Sequence, residues 1–271
     1  MSSTSSRGRA LSMLPPEYFD RVCAEAIEDW RLLDGRPSLS GAWKQMFSQV
    51  QSPRHVVSEL LQNADDAGAT QAIVTIRDGV FSFEHDGTDF TEKQFLSLCR
   101  FGFSDKRTLH TIGFRGIGFK STFSLGSAVE VHTPTLAIRF DKARFTQPTW
   151  IKDGDPVEGT VIRVRIDDEH RDRELRKNLQ EWISSPASLL FFNNIRRLEI
   201  DGVTIERKVI GPGPVPNSTW IDLTGAKSHQ ILVASSDEEA FPADAMEEIR
   251  RERFADDVTL PPCRVELVCG L

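Results

Sequence analysis

The spacing of apolar positions along this chain changes several times, and the changes mark out its elements. Between Ser52 and Gly68, Val57, Leu60, Leu61 and Ala64 recur at helical spacing and form an apolar flank. Ser52 suits the N-cap, Pro53 the first helical position, and Gly68 the left-handed residue that ends such a helix. Its other side carries Glu59, Asn63 and Asp66, three, four and seven positions apart. A carboxylate, a carboxamide and a second carboxylate therefore share one stripe. A solvated face is the ordinary reason for a polar stripe, so chemistry elsewhere in the chain has to decide whether this one does more.

The rest of the pattern gives a mixed set of elements. A helix follows Pro15-Pro16 through Trp30, and another runs from about residue 40 to 50. Thr91 and Gln94 form a capping box for a helix ending near Arg100. Strand-like runs occupy 72–77 and 80–84, joined by Asp78-Gly79, and then 128–133, 136–141 and 160–166. A helix from Arg171 to about Ile183 precedes Phe191-Phe192 and a second hairpin, 197–200 with 203–210, about Asp201-Gly202. Gly211-Pro212-Gly213-Pro214 reads as a linker, followed by strands at 220–223 and 231–234, a helix over 243–253 and a strand over 264–269. Helices gather in one part and strands in another, which predicts an α/β two-layer sandwich: a mixed, mainly antiparallel sheet with helices on one face. The expected organisation is a disordered tail over 1–14, one domain over 15–190 and a β-rich extension over 191–271, the start of a following domain or a truncated end. An end inside a strand points to a fragment of a longer protein.

Three further groups carry candidate chemistry. Asp86-Gly87 stands where a strand ends; a carboxylate there can accept from an exocyclic amine, and the glycine lets backbone approach a flat ring. Ile112 to Ser121 reads IGFRGIGFKS, with Gly113, Gly116 and Gly118 ahead of an expected helix bearing Phe119 and Phe123. Backbone N–H groups of such a loop can wrap phosphates. It is not a P-loop, because Phe119 separates Gly118 from Lys120, and it is not a dinucleotide fingerprint, because Ser121 holds the last glycine position. Thr160 follows Gly159 at a strand start, where its hydroxyl can reach a base edge directly or through water.

Taken in order, these groups resemble the GHKL superfamily of ATPases: gyrase-type topoisomerases, the ninety-kilodalton heat-shock chaperone, histidine kinases and mismatch-repair ATPases. The likeness is greatest to the sacsin-like, heat-shock-chaperone-type branch and covers about residues 50 to 166. Glu59 through Ala67 match its N-box, Asp86 and Gly87 its adenine motif, Ser104, Lys106 and Ile112 through Ser121 its lid and glycine loop, and Gly159-Thr160 its late G-T pair. One departure is Gly87-Thr88-Asp89 after Asp86, where the chaperone has D-x-G-x-G.

The resemblance implies the Bergerat ATP-binding fold, ATP and Mg²⁺ as ligands, and a role for each residue. Glu59 would be the general base for the attacking water. Asn63 would coordinate Mg²⁺, and Asp66 would orient ligands or water near the adenine end. Asp86, beside Gly87, would read the adenine amine and so prefer ATP to GTP. Gly113, Gly116, Ile117, Gly118 and the Phe119 N–H would hold the phosphates, and Lys106 or Lys120 would add positive charge. Residues 101–111, with Ser104 and Lys106, would form a lid poorly ordered without nucleotide. The implied function is a Mg-dependent, slowly hydrolysing conformational switch of chaperone-like type, with ATP and ADP as small partners and nucleotide-dependent homodimerisation possible. The alternative is a non-hydrolysing ATP-sensing or protein-interaction module of a quality-control or defence protein. A histidine kinase would need a phospho-accepting histidine on a dimerisation helix, and the Pro16 to Trp30 segment has none.

Composition narrows the setting without changing this picture. The chain has 271 residues, 39% of them apolar and 27% charged, enough for one good core. A net charge of −7 argues against general binding to nucleic acid or membrane surfaces. Cys23, Cys99, Cys263 and Cys269 lack C-x-x-C spacing, so neither a zinc site nor a disulfide framework is expected and a reduced, cytoplasmic setting fits. No apolar run approaches the roughly 18 residues of a membrane span. Client proteins and neighbouring domains are not identified by any of these residues.

Overall fold

The computed structural model describes residues 13–36, 38, 40, 41, 45, 52–100, 118–152, 154, 157–225, 227–253, 260 and 262–270. Eleven strands form one sheet: β1 Gln71–Arg77, β2 Val80–His85, β3 Ala128–His132, β4 Ala137–Asp141, β5 Pro148–Trp150, β6 Thr160–Arg165, β7 Arg197–Ile200, β8 Val203–Pro212, β9 Ser218–Thr224, β10 Ser228–Ser235 and β11 Glu266–Gly270. Their order is β11-β10-β9-β8-β7-β1-β2-β6-β3-β4-β5. Only β1 and β7 pair in parallel; every other neighbouring pair is antiparallel. The expected mixed, mainly antiparallel sheet with helices is the observed one.

Register explains where the core lies. Ile200, Val74, Phe83, Ile162, Val131, Ile138 and Trp150 are successive cross-strand neighbours, so they make one row on one face. Ile76, Phe81, Val164, Val129 and Phe140 make the next row. All of these except Trp150 are buried. The helices that cover them are α1 Phe19–Asp34, α2 Pro53–Asp66, α3 Glu92–Leu98 and α4 Glu169–Ser184; a fifth, α5 Ala243–Arg253, follows β10. The two expected hairpins are present, with Asp78 and Gly79 at φ 51° and 72° and Asp201 and Gly202 at 46° and 87°. Positive φ at both central residues matches the twist of antiparallel strands, which is why Asp-Gly serves there. The Thr91–Gln94 capping box forms in full.

α2 lies at the centre of the helical layer. Its apolar flank is buried as expected, at Val57, Leu60, Leu61 and Ala64, joined by Val56. α1 packs at one end through Trp30, whose Nε1 donates to Thr146 Oγ1 at 2.9 Å, and through Phe19, edge-on to Trp150 at 5.2 Å. α4 is tied to α2 by Arg54, which pairs with Glu174 at 3.0 Å.

Some expectations change. Ser52 takes the N-cap position of α2, but its side chain makes no capping hydrogen bond. Gly118–Ser124 is a 3₁₀ helix rather than an α-helix. Four of its seven residues are Ser, Thr or Lys, and Thr122 Oγ1 donates back to Phe119 O at 2.6 Å, a local bond that suits the tighter turn. The expected linker at 211–214 is the end of β8 and its turn into β9: Gly213 N–H donates to Ser218 O at 2.8 Å and Ser218 Oγ donates to Val215 O at 2.6 Å. The sheet therefore continues from the 15–190 region into the β-rich extension without a break. Of the expected 40–50 helix, Ser40, Gly41 and Gln45 are described and helical; the remainder lies outside the described residues. Among the described residues no helix is long and apolar enough to cross a membrane.

Candidate functional site

Two stretches of α2 meet the other candidate groups. Toward its first half, Glu59 faces the last glycine of the glycine loop. A Cβ on Gly118 would lie 2.2 Å from Glu59 Oε2, so only glycine lets the carboxylate and this backbone come together. Phe119 follows at once, half-buried and edge-on to Phe140 at 5.8 Å. Asn63 and Asp66 continue along the same helix, both half-buried.

Toward its C-terminus, α2 is tied to the Asp86-Gly87 turn. Thr88 donates to Ala67 O from its N–H at 2.9 Å and from its hydroxyl at 3.1 Å. Gly87 fits so closely that an added Cβ would meet Ala67 and His85 Nδ1 at 3.0 Å. Asp86 itself is exposed. Its Oδ1 accepts from Thr70 N–H at 2.8 Å and Gln71 N–H at 3.0 Å, and its Oδ2 from the Thr70 hydroxyl at 2.6 Å. Burial works against the charge, but these hydrogen bonds outweigh it and hold the carboxyl below its ordinary pKa. A carboxylate offers about four lone-pair positions, so three bonds leave capacity for another donor.

The late G-T pair closes this end. Gly159 packs against His85 O, 2.3 Å from where its Cβ would be, and Thr160 is the cross-strand neighbour of His85. Thr160 is 1% exposed, and its hydroxyl has no hydrogen-bond partner among the described residues. A buried hydroxyl left unmatched is costly, and a water or a base edge at this spot would satisfy it. Asp86, Gly87 and Thr160 thus come together at the C-terminal end of α2, and Glu59 and Gly118 at its middle. Ser104, Lys106, Gly113, Gly116 and Ile117, with the whole of the expected lid, lie outside the described residues.

Lys120 departs from the picture of a solvated phosphate-binding lysine. It is 1% exposed; its ammonium donates to Leu98 O and sits 5.3 Å from the centres of both the Phe119 and Phe140 rings. Burial pushes its pKa down to about 8, slightly offset by the neighbouring Cys99. The physical reason is the packing of the 3₁₀ helix against α2, which carries the side chain inward to Leu98 O at the end of α3.

Two further residues at the site, Asp65 and His85, have roles that the sequence does not show. Asp65 is 2% exposed and accepts backbone N–H groups from Asn194 at 2.7 Å and Ile195 at 3.0 Å on one oxygen and from Asn193 at 3.0 Å on the other. It ties α2 to the entry of β7. Its signal was its position four residues after Leu61, on the apolar side, where a carboxylate needs fixed donors. His85 accepts Gly87 N–H on Nδ1 at 3.1 Å, and burial lowers its pKa to about 4 although Asp86 pulls the other way. The ring is neutral at neutral pH and shapes the turn as an acceptor. Among the described residues, no cluster of His, Cys, Asp and Glu is arranged to hold a metal by itself.

Comparison with known proteins finds relatives that match part of the chain. The chain is 32% identical over 132 residues to DNA mismatch repair protein MutL of Methanothrix thermoacetophila, a match covering 43% of this chain and 23% of that protein. It is 41% identical over 132 residues to MutL of Chlorobium chlorochromatii, covering 43% and 20%. Protein NO VEIN of Arabidopsis thaliana is 30% identical over 159 residues, covering 49% of this chain and 6% of that protein. The chain thus spans about a fifth of the two MutL proteins and far less of NO VEIN. No family model matches the chain. These similarities support a GHKL-type ATP-binding module.

Proposed function

We propose that the chain binds ATP with Mg²⁺ between α2 and the glycine loop and hydrolyses it slowly, acting as a nucleotide-driven switch. The observation that carries this reading is the joint placement of Glu59 against Gly118 at the middle of α2 and of Asp86, Gly87 and Thr160 beyond its C-terminal end. A base-reading region and a phosphate region along one helix suit a nucleoside triphosphate.

In this reading Glu59 takes a proton from the attacking water, which requires the carboxylate within one hydrogen bond of that water. Gly118 and Phe119 offer backbone N–H groups to phosphate oxygens, with Gly113, Gly116 and Ile117 completing the wrap. Asp86 accepts the adenine amine, and Thr160 shares that edge directly or through water. GTP presents a carbonyl there and would set acceptor against acceptor. Asn63 offers its amide oxygen to Mg²⁺, an ion content with oxygen ligands and several waters, so an acidic cluster is not required. When bound, Mg²⁺ neutralises charge on the phosphates. The reaction is in-line attack of water on the γ-phosphoryl group.

The sacsin-like, chaperone-type branch is our finer placement, supported by the N-box and by Phe119-Lys120-Ser121 after the last glycine. The mismatch-repair role that MutL's name states is not carried over, because the match covers about a fifth of that protein. Transient homodimerisation with ATP bound belongs to the same proposal. Phosphate release by the purified chain tests turnover: Glu59→Ala should keep ATP affinity within about threefold and lose release by about a hundredfold or more, the range of a positioned base. Undiminished release in Glu59→Ala would remove Glu59 from the mechanism.

A further inference from the structure

The helix-covered face of the sheet continues past β7 onto β8–β11, where Pro186–Phe191 is the last helical segment beside it. Beyond that segment lies a groove of about 660 Å³. Its floor includes Val209, Val233 and Val268, with Val209 60% and Val268 44% exposed. One wall carries Arg196 and Arg207. Arg207 N–H donates to Arg196 O at 2.8 Å, and the next residues, Arg197 and Glu206, are paired, so the two arginines stand directly opposite on adjacent strands and on the same face.

Like charges in that position oppose each other. Neither arginine makes an ion pair among the described residues, although Arg197 next door does. Arg207 donates to two neutral carbonyls, Leu190 O at 3.5 Å and Asn193 O at 3.2 Å. Burial, and then Arg196, lower the Arg207 pKa, with only partial relief from Asp65 and Glu266. The pair is also held in place: Asn193 N–H is bound by the Asp65 carboxylate of α2. A fixed, under-compensated pair of guanidiniums beside an apolar floor, in a protein of net charge −7, is complementary to a carboxylate-bearing apolar ligand.

We infer that this groove docks an acidic segment of a protein partner, its carboxylates on Arg196 and Arg207 and its apolar side chains over Val209, Val233 and Val268. Four strands about 4.8 Å apart make a crossing of roughly 14 Å, the length of about four extended residues. Glu266, at the β11 end of the groove, sets the polarity. It disfavours a uniform polyanion such as nucleic acid and favours a segment acidic at one end and apolar at the other. The inference stands on the groove alone and is independent of ATP binding.

Random eight-residue peptides displayed on phage and panned against the whole chain provide the test, with the best peptide then labelled and its affinity measured by fluorescence anisotropy. Arg207 is left intact because it holds two carbonyls of the fold; Arg196→Glu and Val268→Lys alter exposed side chains. The expected result is enrichment of peptides with Asp or Glu near an aliphatic or aromatic residue. Affinity should then fall at least tenfold in Arg196→Glu, in Val268→Lys, and when the peptide's acids become amides. Absence of acidic enrichment, equal affinity in Arg196→Glu, or tighter Arg196-dependent binding of an eight-nucleotide oligothymidylate would overturn it.

Discussion

Single residues at this site divide into those whose chemistry is exposed and those whose burial sets it. His85 is the clearest of the second kind. Its pKa falls from 6.5 to about 4 in the folded chain, so between those values the unfolded state binds more protons and acid destabilises the fold. The contribution is present above pH 6.5 and lost as the pH drops toward 4, amounting to about 3 kcal/mol in all, of which about 2 kcal/mol goes between pH 7 and pH 5. Denaturant titrations at pH 7 and pH 5 should show a loss that His85→Gln reduces; an unchanged loss would mean that other groups govern this window. Lys120 gives a second prediction. Because its ammonium is spent on Leu98 O within an aromatic shell, Lys120→Met should keep ATP affinity within about threefold and leave thermal stability equal or higher. A tenfold loss of affinity with an unchanged melting temperature would return this lysine to the phosphates. Sequence alone placed this lysine near the phosphates, since its burial depends on Phe140 and Leu98, which are close only after folding.

At the scale of elements, α2 matters through three attachments: Gly118 at Glu59, Thr88 at Ala67, and the 193–195 loop at Asp65. The first two were legible, because Glu59, Asp86 and the glycines stand in order along the chain with boundaries marked by Pro53 and Gly68. The third was not. Two adjacent aspartates look alike in a sequence, and only the backbone donors at the entry of β7 mark Asp65 as a structural tie. Asp65→Ala strands three backbone N–H groups and should cost about 3 kcal/mol, read from chemical denaturation. The loss of packing at the 193–195 loop should appear as faster hydrogen exchange there; a variant as stable as the parent would show that the tie is incidental. The Asp-Gly hairpins were readable because their conformation is local, whereas three-residue β5 lacked enough pattern to be seen. The linker reading at 211–214 failed because Gly and Pro mark a turn equally well.

For the whole molecule, the sheet is one continuous surface with two uses. Its centre is covered by helices and ends at Asp86 and Thr160, while its β8–β11 part keeps an open groove with an arginine pair. The joint between them is the parallel pairing of β1 with β7, secured by Ile76 N–H donating to Asp201 Oδ1 at 2.9 Å and by Asp65. That pairing joins segments more than 120 residues apart and has no local signature in the sequence.

The central claim is that Asp86 reads adenine while α2 and Gly118 hold the phosphates. Calorimetric titration of the chain with Mg-ATP and Mg-GTP, beside Asp86→Asn and Thr70→Val, addresses it directly. Thr70→Val removes the hydroxyl bond to Asp86 but leaves the carboxylate, and so separates loosening of the turn from loss of base reading. The account predicts binding of ATP over GTP, abolished in Asp86→Asn and largely retained in Thr70→Val. Equal binding of ATP and GTP, or ATP binding unchanged in Asp86→Asn, would contradict it.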